Sequence, residues 1–169
     1  RLRDLLKNFI YDYDYILIDC PTQWLFFSKS SVYASDVVLI PTKHTDLKSL
    51  DNAARVITDF IPEVKEAKRD GGPIALPIFF NNHKPTSASM QRANAEIEAI
   101  LKRGKESGFD LLPYYWPQYT GQNPNKTIWD VPESSIVASS AFSRVPAALK
   151  HATVAKYYLN LATEYFLHG

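Results

Sequence analysis

The chain has 169 residues, 46% of them apolar and 13% aromatic, enough to bury the core of one domain spanning residues 1–169. Its 19 Lys and Arg side chains stand against 18 acids, and the resulting charge of +1 excludes a global attraction to nucleic acid or membrane. A single cysteine excludes an internal disulfide, and no apolar run approaches the length of a membrane span, so a reducing cytoplasm is the expected compartment.

The opening segment, RLRDLLKNF, places Leu2, Leu5, Leu6 and Phe9 on one helical face. It reads as the tail of a helix without a start signal, which suggests further sequence upstream. A first strand is predicted at Tyr15 to Asp19, a second at Asp36 to Thr42 (DVVLIPT) and a third at Ile74 to Asn82 (IALPIFFNN). Continuous apolar runs of this kind suit a parallel sheet covered on both faces. Residues 46–60 carry Leu47, Leu50, Ala54 and Ile57 at helical spacing, continued by Ile61, with Thr45 or Asp46 as N-cap. Residues 87–106 repeat the pattern with Met90, Ala93, Ile97 and Leu101, capped by Ser87 or Ser89.

Alternation of strand and helix at these intervals predicts an α/β fold, a mostly parallel sheet with flanking helices. A short edge strand or loop is expected at 111–117, where two prolines interrupt LLPYYWP. Residues 117–132 are rich in turn formers and read as the longest irregular stretch. Pro146 to Phe166 reads as a closing helix, with proline in its first turn.

The strand YILID ends on an acid, and in open α/β sheets ligands bind beyond the carboxyl ends of the strands. A carboxylate fixed there by an apolar strand suits a Mg²⁺ ion bridging to nucleotide phosphates, as a Walker B aspartate does. The plainer reading of Asp19 is a cap on the loop or helix that follows. Asp46 reads as an N-cap rather than a catalytic acid. His44, His83 and Cys20 lack metal-ligand spacing and read as structural or exposed.

The blocks YDYILIDCP, with Tyr13, Asp14, Asp19 and Pro21, and ASDVVLIP, with Ala34, Asp36 and Pro41, closely resemble the ParA/MinD family of deviant Walker A ATPases. A weaker likeness continues through VPESSIVASSAFSRVPAALKHATVAKYYLNLATEY, so the chain resembles the carboxyl-terminal portion of that family's P-loop NTPase fold. The resemblance implies ATP and Mg as cofactors, with Asp19 linked to the metal through water. Pro21 and Thr22 fall in the segment that senses the γ-phosphate. Thr22 replaces the usual second proline, which puts its switching in doubt. Lys43 and Lys48 fall in the loop that approaches the nucleotide of the opposite subunit, and each also reads as a solvated lysine. Asn81 first, then Asn82, is the candidate for the adenine edge, since an amide both donates and accepts; a turn role fits the pair equally.

Arg144, Lys150 and Lys156 are candidates for sequence-independent DNA contact, and Lys102, Arg103 and Lys105 form a second basic group. Solvated helix faces account for both groups as well. The aromatic group Tyr114, Tyr115, Trp116 and Tyr119 suits base stacking less well than packing. The family's glycine-rich phosphate loop is not found among the six glycines, so ATP hydrolysis is expected of a longer protein and not of this stretch alone.

By resemblance, ATP would drive homodimerisation, the dimer would hold nucleoid DNA, and a ParB-like or McdB-like partner would stimulate hydrolysis to position a plasmid, chromosome or carboxysome. The DCPTQ variant resembles the cyanobacterial McdA branch, which positions carboxysomes. Two rival readings are a non-hydrolysing module for dimerisation or partner binding, and an ATP-dependent synthetase of the same class. No membrane role is expected.

Overall fold

The computed structural model describes residues 2–68, 71–84, 86–116, 128–140 and 144–167, with the backbone alone at Asn82, His83, Trp129 and Leu167. In chain order the elements are α1 (Leu2–Leu6), α2 (Phe26–Ala34), β1 (Val37–Val38), β2 (Pro41–Thr42), α3 (Leu47–Arg55), a π-helical turn (Val56–Phe60), α4 (Ile61–Lys68), β3 (Ile74–Ala75) and β4 (Phe79–His83). There follow α5 (Ser87–Glu106), α6 (Leu112–Tyr115), β5 (Trp129–Pro132), α7 (Ser135–Ser140), α8 (Ala147–Lys150), α9 (Ala152–Ala162) and a second π turn (Thr163–Leu167). Every strand pairing is parallel, so the protein is α/β with parallel sheets and flanking helices, as a P-loop NTPase-like fold requires. Among the described residues no helix is long and apolar enough to cross a membrane.

The chain forms two compact units. Unit 1 comprises residues 1–39 and 54–76. Its sheet pairs Val37 with Ile74 and Val38 with Ala75. Val32 of α2 and Ile61 and Val64 of α4 bury their side chains together, with Trp24, Tyr33, Val38, Val56 and Ala75 packed around them. Lys68 donates to the carbonyl of Ser35 at 3.1 Å, which ties the end of α4 to the C-cap of α2.

Unit 2 comprises residues 40–53 and 77–169. Its three strands lie in the order β2-β4-β5, with Thr42 opposite Phe80 and Asn81 opposite Val131. Strand β4 is paired on both edges, and the apolar run that forms it is buried at Ile78, Phe79 and Phe80. Helix α5 supplies Ala93, Ile97, Ile100 and Gly104, a stripe at helical spacing. Its N-cap is Thr86, one residue before the predicted serines: the Thr86 hydroxyl accepts from the Ser89 N–H while Ser89 Oγ accepts from the Thr86 N–H, a capping box. Tyr115 is fully buried and its hydroxyl donates to the carbonyl of Leu50.

Several predicted elements differ from those observed. Residues 15–20 form no strand, and Tyr15 and Leu17 are 57% and 79% exposed. An apolar run has the propensity for a strand, but only a neighbouring ladder makes one, and no described segment pairs with this run. The second and third strands each divide in two. Pro41 and Pro77 bring no N–H to a ladder, and the Ile78 N–H donates instead to the carbonyl of Tyr114 at 3.0 Å. Residues 112–115 are helical, because Pro113 suits a first turn and Asp110 Oδ1 accepts from the Leu112 N–H at 3.1 Å.

The reading of 117–132 as irregular fails at its end, where Trp129–Pro132 pairs with β4; residues 117–127 lie outside the described residues. The closing helix is broken at His151, whose φ of −130° and ψ of 109° are extended; nothing in the structure explains the break.

Gly104 separates two opposing effects. In a helix, Ala is favoured over Gly by about 1 kcal/mol. A Cβ here would stand 2.8 Å from Leu111 Cδ1 and 3.2 Å from the Phe109 carbonyl. Leu111 is itself buried, so overpacking, about 1–3 kcal/mol, outweighs propensity. Gly104→Ala is expected to lower stability by about 1 kcal/mol in denaturant unfolding; a stabilised variant would show that the Leu111 contact relaxes.

Candidate functional site

Asp19 lies in the segment between α1 and α2, with its carboxylate exposed. Asp19 and Pro21 line one cavity of about 890 Å³ in unit 1, beside Arg3, Lys29, Phe27 and Tyr33. The wall is mostly apolar, and one acid and two cations are part of its lining. Among the described residues no group of three or more His, Cys, Asp or Glu gathers as a metal cage. A single exposed carboxylate fits Mg²⁺, which takes one or two protein oxygens and completes its shell with water and phosphates; it does not fit a metal that needs a full protein cage.

The residues after Asp19 are held from the other side. Ser28 is 2% exposed, and its hydroxyl sits against the carbonyls of Pro21, at 2.9 Å, and Gln23. Trp24 stacks on Phe60 with ring centroids 4.1 Å apart and planes 4° from parallel. Such a stack contributes about 0.5–1.5 kcal/mol beyond the area it buries. The indole N–H donates to Glu63 Oε2 at 3.1 Å, while Lys29 Nζ meets Glu63 Oε1 at 2.6 Å. Lys29 also lies 5.7 Å from the Trp24 ring centroid, and Arg55 lies 5.6 Å from that of Phe60. Cys20 is free, and partial desolvation, then the Asp19 carboxylate, push its thiol up against a smaller pull from Ser28. A thiol so placed is a poor nucleophile, in keeping with its reading as a structural or exposed residue.

In unit 2, Lys43 and Asn81 are the residues that follow the Thr42–Phe80 pair; Lys43 lies just past β2, and Asn81 lies within β4 opposite Val131. The Asn81–Val131 pair is followed by a register shift, with His83 opposite Pro132, so Asn82 is the extra residue of a bulge. The side chain of Asn82 lies outside the described residues. Just past the strands, Lys84 Nζ reaches Glu133 Oε2 at 3.5 Å. The loop from Lys43 to Ser49 is closed by the Lys43 N–H donating to Ser49 Oγ at 3.1 Å and by the Ser49 hydroxyl donating to the Asp46 carbonyl at 2.7 Å. Asp46 Oδ1 accepts from the Lys48 N–H at 3.1 Å, the expected cap, and Lys43 and Lys48 keep their ammonium groups exposed.

Arg144, Lys150 and Lys156 are all exposed, and Arg144 holds a φ of 54°, a left-handed conformation uncommon for a residue with a side chain. Arg103 pairs with Asp51 at 2.8 Å and Glu96 at 3.3 Å, which removes it from the second basic group as a ready phosphate contact. His44 is 3% exposed and meets Phe80 edge-on at 5.9 Å, and Tyr115 is core. Tyr119 lies outside the described residues. The sequence reading missed Ser28, Lys29, Phe60 and Glu63. Trp24 follows directly on DCPTQ, but no spacing rule links it to partners more than thirty residues away.

Lys29 first, then the Trp24 N–H, hold the Glu63 carboxyl below the ordinary carboxylate range. A group whose folded value is depressed contributes stability above its unfolded value and loses it as pH falls through the folded one. Glu63→Gln is therefore expected to flatten the acid limb of stability against pH for unit 1. Denaturant unfolding across a series from neutral to acid pH measures this, and an unchanged limb would show that the ion pair contributes nothing.

Residues 1–71, which include Asp19, Pro21, Thr22, Lys43 and Lys48, match a family model described as an AAA domain. No curated protein and no solved structure gives a match. The family match points to a P-loop NTPase-like domain of the ParA/MinD type over that stretch.

Proposed function

We propose that this chain is part of a ParA-type ATPase that dimerises with ATP, holds DNA without regard to sequence and positions a cargo with a partner protein. The observation that carries the reading is the family match across Asp19, together with the exposed Asp19 carboxylate on a cavity wall that Pro21 shares. Mg²⁺, when bound, supplies charge neutralisation on the nucleotide phosphates. Asp19 orients its water shell. Pro21 and Thr22 form the loop that follows the phosphates, and Ser28 fixes that loop by its hydroxyl.

Lys43 and Lys48 act as point charges toward the phosphates of the opposite subunit; the bonds that close the 43–49 loop restrict where the two stems begin. Asn81, with Asn82 beside it, reads the edge of the base from within β4. Arg144, Lys150 and Lys156 meet DNA phosphates, each contact adding a salt-sensitive increment. A ParB-like or McdB-like protein is the partner, and nucleoid association in the cytoplasm follows from the DNA contacts.

In the native protein, Asp19→Ala is expected to lower Mg²⁺-dependent ATP hydrolysis by about 10- to 100-fold, as the loss of a residue that orients a metal's outer shell does. The circular dichroism spectrum should not change, because the side chain is exposed. Hydrolysis at the normal rate would remove Asp19 from the metal, and absence of turnover in the unsubstituted protein, even with DNA and partner present, would favour a non-hydrolysing module.

A further inference from the structure

The 20–23 segment that follows Asp19 has little regular structure of its own and is held by residues that follow it in the chain. The Ser28 hydroxyl lies against the Pro21 and Gln23 carbonyls. The Leu25 N–H donates to the Gln23 carbonyl at 2.8 Å. Trp24 is the next residue, and it is fastened three ways: its ring on Phe60, its N–H on Glu63, and the Lys29 ammonium at its ring. Lys29 closes the set by its ion pair with Glu63.

The helix that receives Trp24 is irregular where it does so. Phe60 is the last residue of the π-helical turn Val56–Phe60, and Glu63 lies in the first turn of the helix after it. Single π turns within helices cost regular hydrogen bonding and often mark sites where one side chain has been re-aimed. Lys29 has a second role, since it lines the same cavity as Asp19 and Pro21.

We propose that Trp24, stacked on Phe60 and bonded to Glu63, is a latch that positions the 20–23 segment behind Asp19. Trp24 acts through the loop and touches no ligand itself. The described bonds within the segment are few, so its order depends on the latch together with the Ser28 hydroxyl, and Trp24 also packs against the Val32–Ile61–Val64 core. Where the loop serves a nucleotide, which rests on the function proposed above, the latch sets the fraction of molecules whose loop is competent to bind.

Hydrogen exchange on the full chain, read by mass spectrometry, tests the latch without any ligand. Trp24→Leu is expected to speed exchange at 20–25 about tenfold, more than in α4, and leave the Ser87–Glu106 helix unchanged. Glu63→Ala, on an exposed helical face, should act in the same direction, and Trp24→Phe, which keeps the stack without the N–H, should fall between. Unchanged exchange at 20–25 overturns the latch. So does an equal acceleration throughout unit 1, which would mean packing alone. Calorimetry with Mg·ATP on the same samples separates the latch from the site. Weaker binding in Glu63→Ala by the factor of loop opening supports the link, and unchanged binding overturns it. Failure of Mg·ATP to bind the unsubstituted native protein overturns the nucleotide reading, and the exchange data still decide the latch.

Discussion

Strand β4 is bonded on both edges, and this pairing dictates much of what surrounds it. The start of a strand held between two parallel neighbours is apolar here: Phe79 and Phe80, with Ile78 before them, are buried. Tyr165 packs on it, its ring 5.8 Å from that of Phe79 and its hydroxyl donating to the Ile78 carbonyl at 3.3 Å. Polar residues gather toward the carboxyl ends of the strands: Lys43, Lys84 and Glu133 follow β2, β4 and β5, and Asn81 lies within β4 opposite Val131.

Unit 1 solves a different problem with weaker means. Its sheet pairs only two residues on each side, so the segment bearing Asp19 gains no order from a ladder. Side chains substitute for the missing backbone bonds: a buried serine hydroxyl, an aromatic stack and a shared carboxylate. Interactions of this kind open locally at lower cost than a ladder does.

The sequence made legible what depends on local pattern. The Asp46 cap, the Ala93 and Ile97 positions of the α5 stripe and the parallel pairing within the 74–82 run follow from spacing and residue type, and each is observed; of that run Ile78, Phe79 and Phe80 are buried, while Ile74 is exposed. What depends on distant partners was not legible. YILID has the composition of a strand and forms none; WDVP has the composition of a turn and is a strand, because β4 offers it a ladder. Trp24 reads as one aromatic among many until Phe60 and Glu63 are brought to it. Of the candidate site, the motif named Asp19 and Pro21, which line one cavity, and Lys43 and Asn81, which follow the Thr42–Phe80 pair of adjacent strands. The clasp around the loop carries no motif.

The central claim is that Asp19 anchors the magnesium of a bound nucleotide. A crystal structure of the native protein with Mg²⁺ and a non-hydrolysable ATP analogue tests it most directly. The account predicts a metal bridging the phosphates, with one of its waters hydrogen-bonded to the Asp19 carboxylate. A nucleotide bound away from Asp19, or none bound at saturating concentration, would contradict it.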